Sequence, residues 1–168
     1  MLKYAGFIKN DTVNGDGFCV SFFTQGCPHH CKGCFNPETW DPAGGKVFDA
    51  SVMNAILEAI SDNGITRNLS ILGGEPLAPY NLKLVTDLIV NVKRNYPSIK
   101  IFIWTGYEIN DVLLEGRINE HLKLILEETD YLITGPFIEE KKDLTLKWRG
   151  SSNQEIWHHC EHSWMKES

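Results

Sequence analysis

The sequence is short of several things, and each shortage removes a class of function. It has no apolar run long enough to span a bilayer, so no membrane-spanning segment is expected. Its first residues, Met1-Leu2-Lys3-Tyr4-Ala5-Gly6-Phe7, lack the apolar stretch of a secretory signal, which predicts a cytoplasmic protein. It has no excess of positive charge: 16 Lys and Arg stand against 22 Asp and Glu, so the formal charge is -6. Nucleic-acid binding needs a basic footprint, and none is present. It has no internal repeat, no low-complexity tract and no linker, so residues 1–168 are expected to form one domain. At 42% hydrophobic and 23% charged, the composition is that of a chain that buries a core.

The sequence is also one cysteine short of a closed metal site. Cys27, Cys31 and Cys34 follow a C-x3-C-x2-C spacing in Gln25-Gly26-Cys27-Pro28-His29-His30-Cys31-Lys32-Gly33-Cys34-Phe35-Asn36. Structural zinc wants four protein ligands, whereas three leave a position open for a substrate or cofactor. Thiolates also suit iron-sulfur clusters, and a [4Fe-4S] cube on three cysteines keeps one iron free. Zinc stays open at this point, with His29, His30, Cys19 or Cys160 as a fourth ligand, although no second C-x2-C or C-x2-H pair stands out. In a chain without an export signal, disulfides are not expected among the five cysteines. Cys19 reads as a buried, inert thiol. Cys160, within His158-His159-Cys160-Glu161-His162, reads equally as a metal ligand or an exposed thiol in a mobile tail.

Strand and helix alternate along the chain. Phe18 to Thr24 is a β-favouring apolar run leading into the cysteine loop. Asp49 caps a helix to about Ser61, and Asn68 to Leu72 is a second strand ending in Gly73-Gly74. Asn81 caps a helix with Leu84, Val85, Leu88, Ile89 and Val92 on one face, stopping before Pro97. Lys100 to Trp104 is a third strand. Shorter helices are expected around Asp111 to Leu114 and Asn119 to Glu127, then a fourth strand from Tyr131 to Thr134. This order predicts an α/β fold with a mostly parallel sheet. Chemistry in such folds gathers at the C-terminal ends of strands. The cysteine loop, Gly73-Gly74-Glu75-Pro76 and Trp104-Thr105-Gly106-Tyr107 all fall there. A full eight-unit barrel typically takes about 250 residues, so a partial, open βα barrel is expected.

Cys27-x3-Cys31-x2-Cys34 with Phe35 behind it resembles the radical S-adenosylmethionine (SAM) signature, and Gly73-Gly74-Glu75 is similar to that superfamily's SAM-amine motif. Four more segments narrow the resemblance: Val13-Asn14-Gly15-Asp16-Gly17, Cys34-Phe35-Asn36-Pro37-Glu38-Thr39-Trp40, Trp104-Thr105-Gly106-Tyr107 and Arg149-Gly150-Ser151-Ser152-Asn153-Gln154. Together they look like the activating proteins of anaerobic ribonucleoside-triphosphate reductase, and the last hexapeptide is the most discriminating. The resemblance implies that Cys27, Cys31 and Cys34 hold a [4Fe-4S] cluster whose free iron chelates SAM. It implies that Gly33, Cys34 and Phe35 lie against the adenosine, and that Gly73, Gly74 and Glu75 orient the methionine end. It also implies an oxidoreductase chemistry in which reductive cleavage of SAM gives a 5'-deoxyadenosyl radical, and this radical makes a glycyl radical on the reductase partner. A flavodoxin-like protein is the implied electron donor. No side-chain acid or base is required for the abstraction, so no such catalytic residue is named.

Two alternatives keep their place. One is a radical SAM enzyme acting on a small molecule, resembling 7-carboxy-7-deazaguanine synthase, against which Arg149 to Gln154 argues. The other is a zinc-binding module without catalysis. Among the remaining polar residues, His29 and His30 read as solvated loop histidines, and Glu139 to Asp143 as a solvated loop or part of a docking surface. Thr105 reads as a candidate SAM contact. Arg149 to Gln154 reads as a turn, a SAM neighbour or a docking element.

Overall fold

The computed structural model describes residues 1–168 as an eight-stranded sheet with four α-helices. The strands are β1 (Lys3–Asp11), β2 (Cys19–Thr24), β3 (Lys46–Val47), β4 (Asn68–Gly73), β5 (Ile101–Trp104), β6 (Tyr131–Thr134), β7 (Glu155–Cys160) and β8 (Ser163–Lys166). They lie side by side in the order β3-β1-β2-β4-β5-β6-β7-β8. The central strands β2, β4, β5 and β6 run parallel, as the strand-helix alternation predicts. Both flanks are antiparallel: β1 pairs with β2 and β3, and β7 pairs with β6 and β8. The expectation of a mostly parallel sheet therefore holds only for the centre. β1–β2 and β7–β8 are joined by short connections, whereas β3 and β7 return to the sheet after the long segments 25–45 and 135–154. None of these links is an α-helical crossover, which parallel pairing usually takes.

The helices are the crossovers of the parallel centre. Helix α1 (Ala50–Ser61) joins the β2 side to β4, α2 (Leu82–Asn95) joins β4 to β5, and α3 (Ile109–Glu115) with α4 (Glu120–Glu128) joins β5 to β6. Asp49 is the N-cap of α1, its carboxylate accepting from the N–H groups of Ser51 and Val52. These bonds satisfy donors that the helix start leaves unpaired. Asn81 stands at the start of α2 but does not cap it; its side-chain amide donates instead to the carbonyl of Glu75 at 2.9 Å.

Side chains alternate across the central strands. Val20, Phe22, Leu69, Ile71, Ile101, Ile103 and Leu132 face the helices and join Ile56, Ile60, Leu84, Leu88, Ile89 and Ile125 in one core. Residues between them, such as Ser21, Ser70, Phe102 and Tyr131, occupy the opposite face. No helix covers that face. It is covered by the Thr12–Phe18 turn and by the segment from Phe137 to Gly150, whose Trp148 ring stands edge-on to Phe102 and Tyr131 at 5.0 and 5.3 Å.

The C-terminal residues are an ordered hairpin rather than the mobile tail expected. His158 stacks on Tyr131 at 4.5 Å, and His159 stacks on Trp164 at 4.7 Å. Neighbouring residues of a strand point to opposite faces, so the two rings serve packing on separate sides and form no common ligand set. Cys160 is half-buried, with its sulfur 3.5 Å from His158 Nδ1. No helix is long and apolar enough to cross a membrane.

Candidate functional site

The C-terminal ends of β2, β4, β5 and β6 open onto one cavity of about 720 Å³. That volume falls within the range of small-molecule and cofactor sites. Its wall takes in Cys27, Cys31 and Cys34 after β2, Gly73-Gly74-Glu75 after β4, and Trp104-Thr105-Gly106 after β5. Phe35 and Arg149, Gly150 and Gln154 complete it. Gly33 is not part of that wall; it holds φ +75°, and its Cα faces the half-exposed Glu139 side chain. Every segment that carries the family resemblance thus contributes to the same wall, whereas His158–Cys160 lies apart in β7.

The cysteine loop is closed at its neck. Gly26 N–H donates to the Thr39 carbonyl at 2.7 Å, and Cys27 N–H donates to the Trp40 carbonyl at 3.0 Å. Gln25, 3% exposed, sends its amide to the carbonyls of Glu38 and Asp41. A loop pinned in this way presents its three thiols on a fixed frame. The far side of the loop leans on the Phe137–Gly150 segment. Phe35 packs on Phe137 with ring centroids 5.0 Å apart, and Lys142 stands over the Phe35 ring at 5.4 Å.

The strand-end turn after β4 is built from glycines for steric reasons. Gly73 has φ +99°, and a Cβ there would stand 2.7 Å from the Cα of Phe23. A Cβ on Gly74 would collide with the carbonyl of Gly26. The β4 turn therefore nests directly against the start of the cysteine loop, and Glu75 N–H donates to that Gly26 carbonyl at 2.8 Å.

Glu75 is 1% exposed, and its carboxylate is fully occupied. It accepts from Leu77 N–H at 2.9 Å, Thr105 Oγ1 at 2.7 Å, Gly106 N–H at 2.7 Å and His29 Nε2 at 2.8 Å. His29 is therefore not the solvated loop histidine that the sequence suggests. His30 is solvent-exposed, as the sequence suggests, with its ring stacked on Trp40 at 4.6 Å. Thr105 lines the cavity wall, but its hydroxyl is committed to Glu75.

The Arg149–Gln154 segment is a self-bonded turn. Gln154 Oε1 accepts from the N–H groups of Gly150 and Ser151, and its amide donates to the Gly135 carbonyl. Asn153 donates to the Pro136 carbonyl, and buried Ser151 accepts from Ile138 N–H. Its polar side chains mostly shape the wall, leaving Arg149 as the charged group it presents. Glu139, expected in a solvated loop, pairs with Lys32 of the cysteine loop at 3.5 Å.

Cys27, Cys31 and Cys34 share one wall of the cavity. Burial pushes the Cys27 thiol above its ordinary value, and the charges of Glu75 and Cys31 add to this, while N–H groups of His29 and His30 work in the other direction. Those N–H groups, and Asn36 N–H at 3.4 Å from the Cys34 sulfur, are the donors a coordinated thiolate accepts from. The buried indole N–H of Trp40, also in the wall, finds no acceptor in the protein. A soft, acceptor-rich group fits this donor set.

The family model of the 4Fe-4S single cluster domain matches residues 13–157. The chain is 35% identical to the anaerobic ribonucleoside-triphosphate reductase-activating protein of Haemophilus influenzae over 92% of its own length and 97% of that protein's. It is 36% identical to the protein of the same name from Vibrio cholerae, with the same two coverages. The chain belongs to this family. The activating protein of Enterobacteria phage T4 is 34% identical over 97% of the chain, so the family likeness runs through both antiparallel flanks as well as the parallel centre. Sequence reasoning about this activating-protein chain missed His29 and Trp148. For His29 the available signal was Gly106, two residues past the end of β5, which marks a place where another side chain passes.

Proposed function

We propose that the protein activates an anaerobic ribonucleoside-triphosphate reductase, with Cys27, Cys31 and Cys34 holding a [4Fe-4S] cluster and SAM filling the rest of the cavity. The observation that carries this reading is the meeting of the three thiols, the Gly73–Glu75 turn and the Arg149–Gln154 turn on one wall, in a member of this family. Held by Cys27, Cys31 and Cys34, the cluster would supply the one-electron reduction that cleaves SAM, and the cleaved cofactor would supply the hydrogen-atom abstraction that leaves a glycyl radical on the reductase.

The chain's own residues bind and orient. Gly33, Cys34 and Phe35 lie toward the adenosine, and Gly73, Gly74 and Glu75 toward the methionine end. The Glu75 carboxylate has its acceptor positions taken, so the ammonium group falls to main-chain carbonyls of that turn. Phe35, Phe137 and Trp104 supply apolar wall that keeps water from a reactive intermediate. In this reading residues 1–168 are a single radical SAM domain, and the open sheet is a partial βα barrel. The protein works in the cytoplasm with a flavodoxin-like electron donor.

The test is anaerobic incubation of the reduced, cluster-loaded protein with SAM and the reductase, followed by electron paramagnetic resonance. A glycyl radical doublet is expected. SAM cleavage without that doublet transfers the assignment to a radical SAM enzyme of small molecules. A colourless protein that binds zinc and no cluster removes both.

A further inference from the structure

His29 reaches across from the cysteine loop to the ends of two strands. It is the only side chain between Cys27 and Cys31 that hydrogen bonds outside its own loop, through Nε2 to Glu75 Oε2 at 2.8 Å. The other donors to Glu75 come from the β4 turn itself, Leu77, and from the β5 turn, Thr105 and Gly106. One buried carboxylate thus joins three separate segments of the cavity wall. A carboxylate has about four acceptor positions, and four donors fill them. A fully satisfied buried network of this kind is rigid, and removing one member leaves the others underpaired.

The space around the imidazole is tailored to it. A Cβ on Gly106 would stand 2.6 Å from the ring. Tyr107 meets the ring edge-on, with centroids 4.6 Å apart. Only a glycine at position 106 lets the ring reach Glu75.

We infer that His29 is a positioning residue: acting through Glu75, it fixes the stretch between Cys27 and Cys31 against the ends of β4 and β5, and so sets where the cluster stands relative to the Gly73–Glu75 turn. The inference rests on the cluster-and-SAM reading of the cavity. A contact that served folding alone would alter the melting temperature and nothing at the cluster.

The test compares anaerobically reconstituted wild type, His29→Ala, His29→Gln and Gly106→Ala. SAM is titrated against the electron paramagnetic resonance signal of the reduced cluster. His29→Ala is expected to keep its iron but to bind SAM about tenfold more weakly, and with an altered SAM-bound spectrum, while His29→Gln, whose amide N–H replaces Nε2–H, returns to within about twofold of wild type. Gly106→Ala, which displaces an intact imidazole, is expected to behave as His29→Ala. It carries the comparison should His29→Ala not fold. Wild-type spectra and affinity in both His29→Ala and Gly106→Ala overturn the inference and leave the function standing. A wild-type cluster that does not respond to SAM overturns both.

Discussion

The indole N–H of Trp148 donates to the carbonyl of Gly15 at 2.9 Å. The Trp104 indole donates in turn to the Trp148 carbonyl at 2.7 Å. Trp148 holds φ +57°, unusual for a large side chain, so its surroundings fix it there. This chain of bonds joins the Thr12–Phe18 turn, the end of β5 and the segment leading into Arg149.

Trp148→Phe keeps a ring against Phe102 and Tyr131 but loses the bond to Gly15. A loss of about 1 kcal/mol is expected, which lowers the melting temperature by roughly 2–4 °C for a chain of this size. Trp148→Ala removes the ring as well and is expected to cost about 3 kcal/mol or more. Thermal unfolding of the cluster-free protein, followed by circular dichroism, measures both. Equal melting temperatures for Trp148→Phe and Trp148→Ala would show that the aromatic packing contributes nothing.

Glu75→Ala strips four donors of their acceptor at once. Two are main-chain N–H groups, and one is the hydroxyl of Thr105, 4% exposed. The expected cost is about 3–5 kcal/mol. Urea unfolding should show a lower midpoint with an unchanged slope. An unshifted midpoint would mean that water reaches these donors freely.

Cys27→Ala, Cys31→Ala and Cys34→Ala are each expected to abolish SAM cleavage. Cys19→Ala should retain it, because Cys19 is fully buried and its sulfur faces the Asp16 carbonyl at 3.5 Å. Burial pushes the Cys19 thiol up to about 11, and the charges of Asp11 and Asp16 push the same way, against a hydrogen bond with Ser70. Only the thiolate is alkylated, so the raised pKa and the complete burial both protect Cys19 in the folded state. Mass spectrometry after iodoacetamide should find Cys19 modified last. Activity that survives Cys31→Ala removes that residue from the ligand set.

Asp11 gives the fold an acid limit. Burial works against its charge, but bonds from Ser21, from Val13 N–H and from Asn14 outweigh burial and hold its pKa below the ordinary value. A carboxylate depressed in the folded state stabilises fully above the unfolded value, near pH 4, and this contribution is lost as pH falls through the lowered folded pKa. Asp11→Asn should flatten the stability profile below about pH 4 relative to wild type. Parallel acid limbs for the two proteins would remove Asp11 from the balance.

The parallel centre of the fold was legible because local signals agree there. Asp49 caps α1, the apolar period of α2 ends before Pro97, and the four apolar runs became β2, β4, β5 and β6. The flanks were not legible. β1 is interrupted by a register shift beside Gly6, and β7 carries His158-His159-Cys160, which looks polar until Tyr131 and Trp164 are known to cover it. The three thiols were plain from spacing. The brace behind them was not, because His29 and Glu75 are 46 positions apart and only the fold brings them together.

The cavity wall runs from Val13 to Gln154, nearly the whole chain. This spread imposes an order on biosynthesis. The ribosome releases the three thiols early, while the turn that faces Phe35 emerges close to the end. Until then the thiols line an unfinished bowl. A cluster delivered to the nascent chain would meet solvent on the side where Gly150 later packs. The bowl is complete only when residues 144–154 have folded back over the cysteine loop.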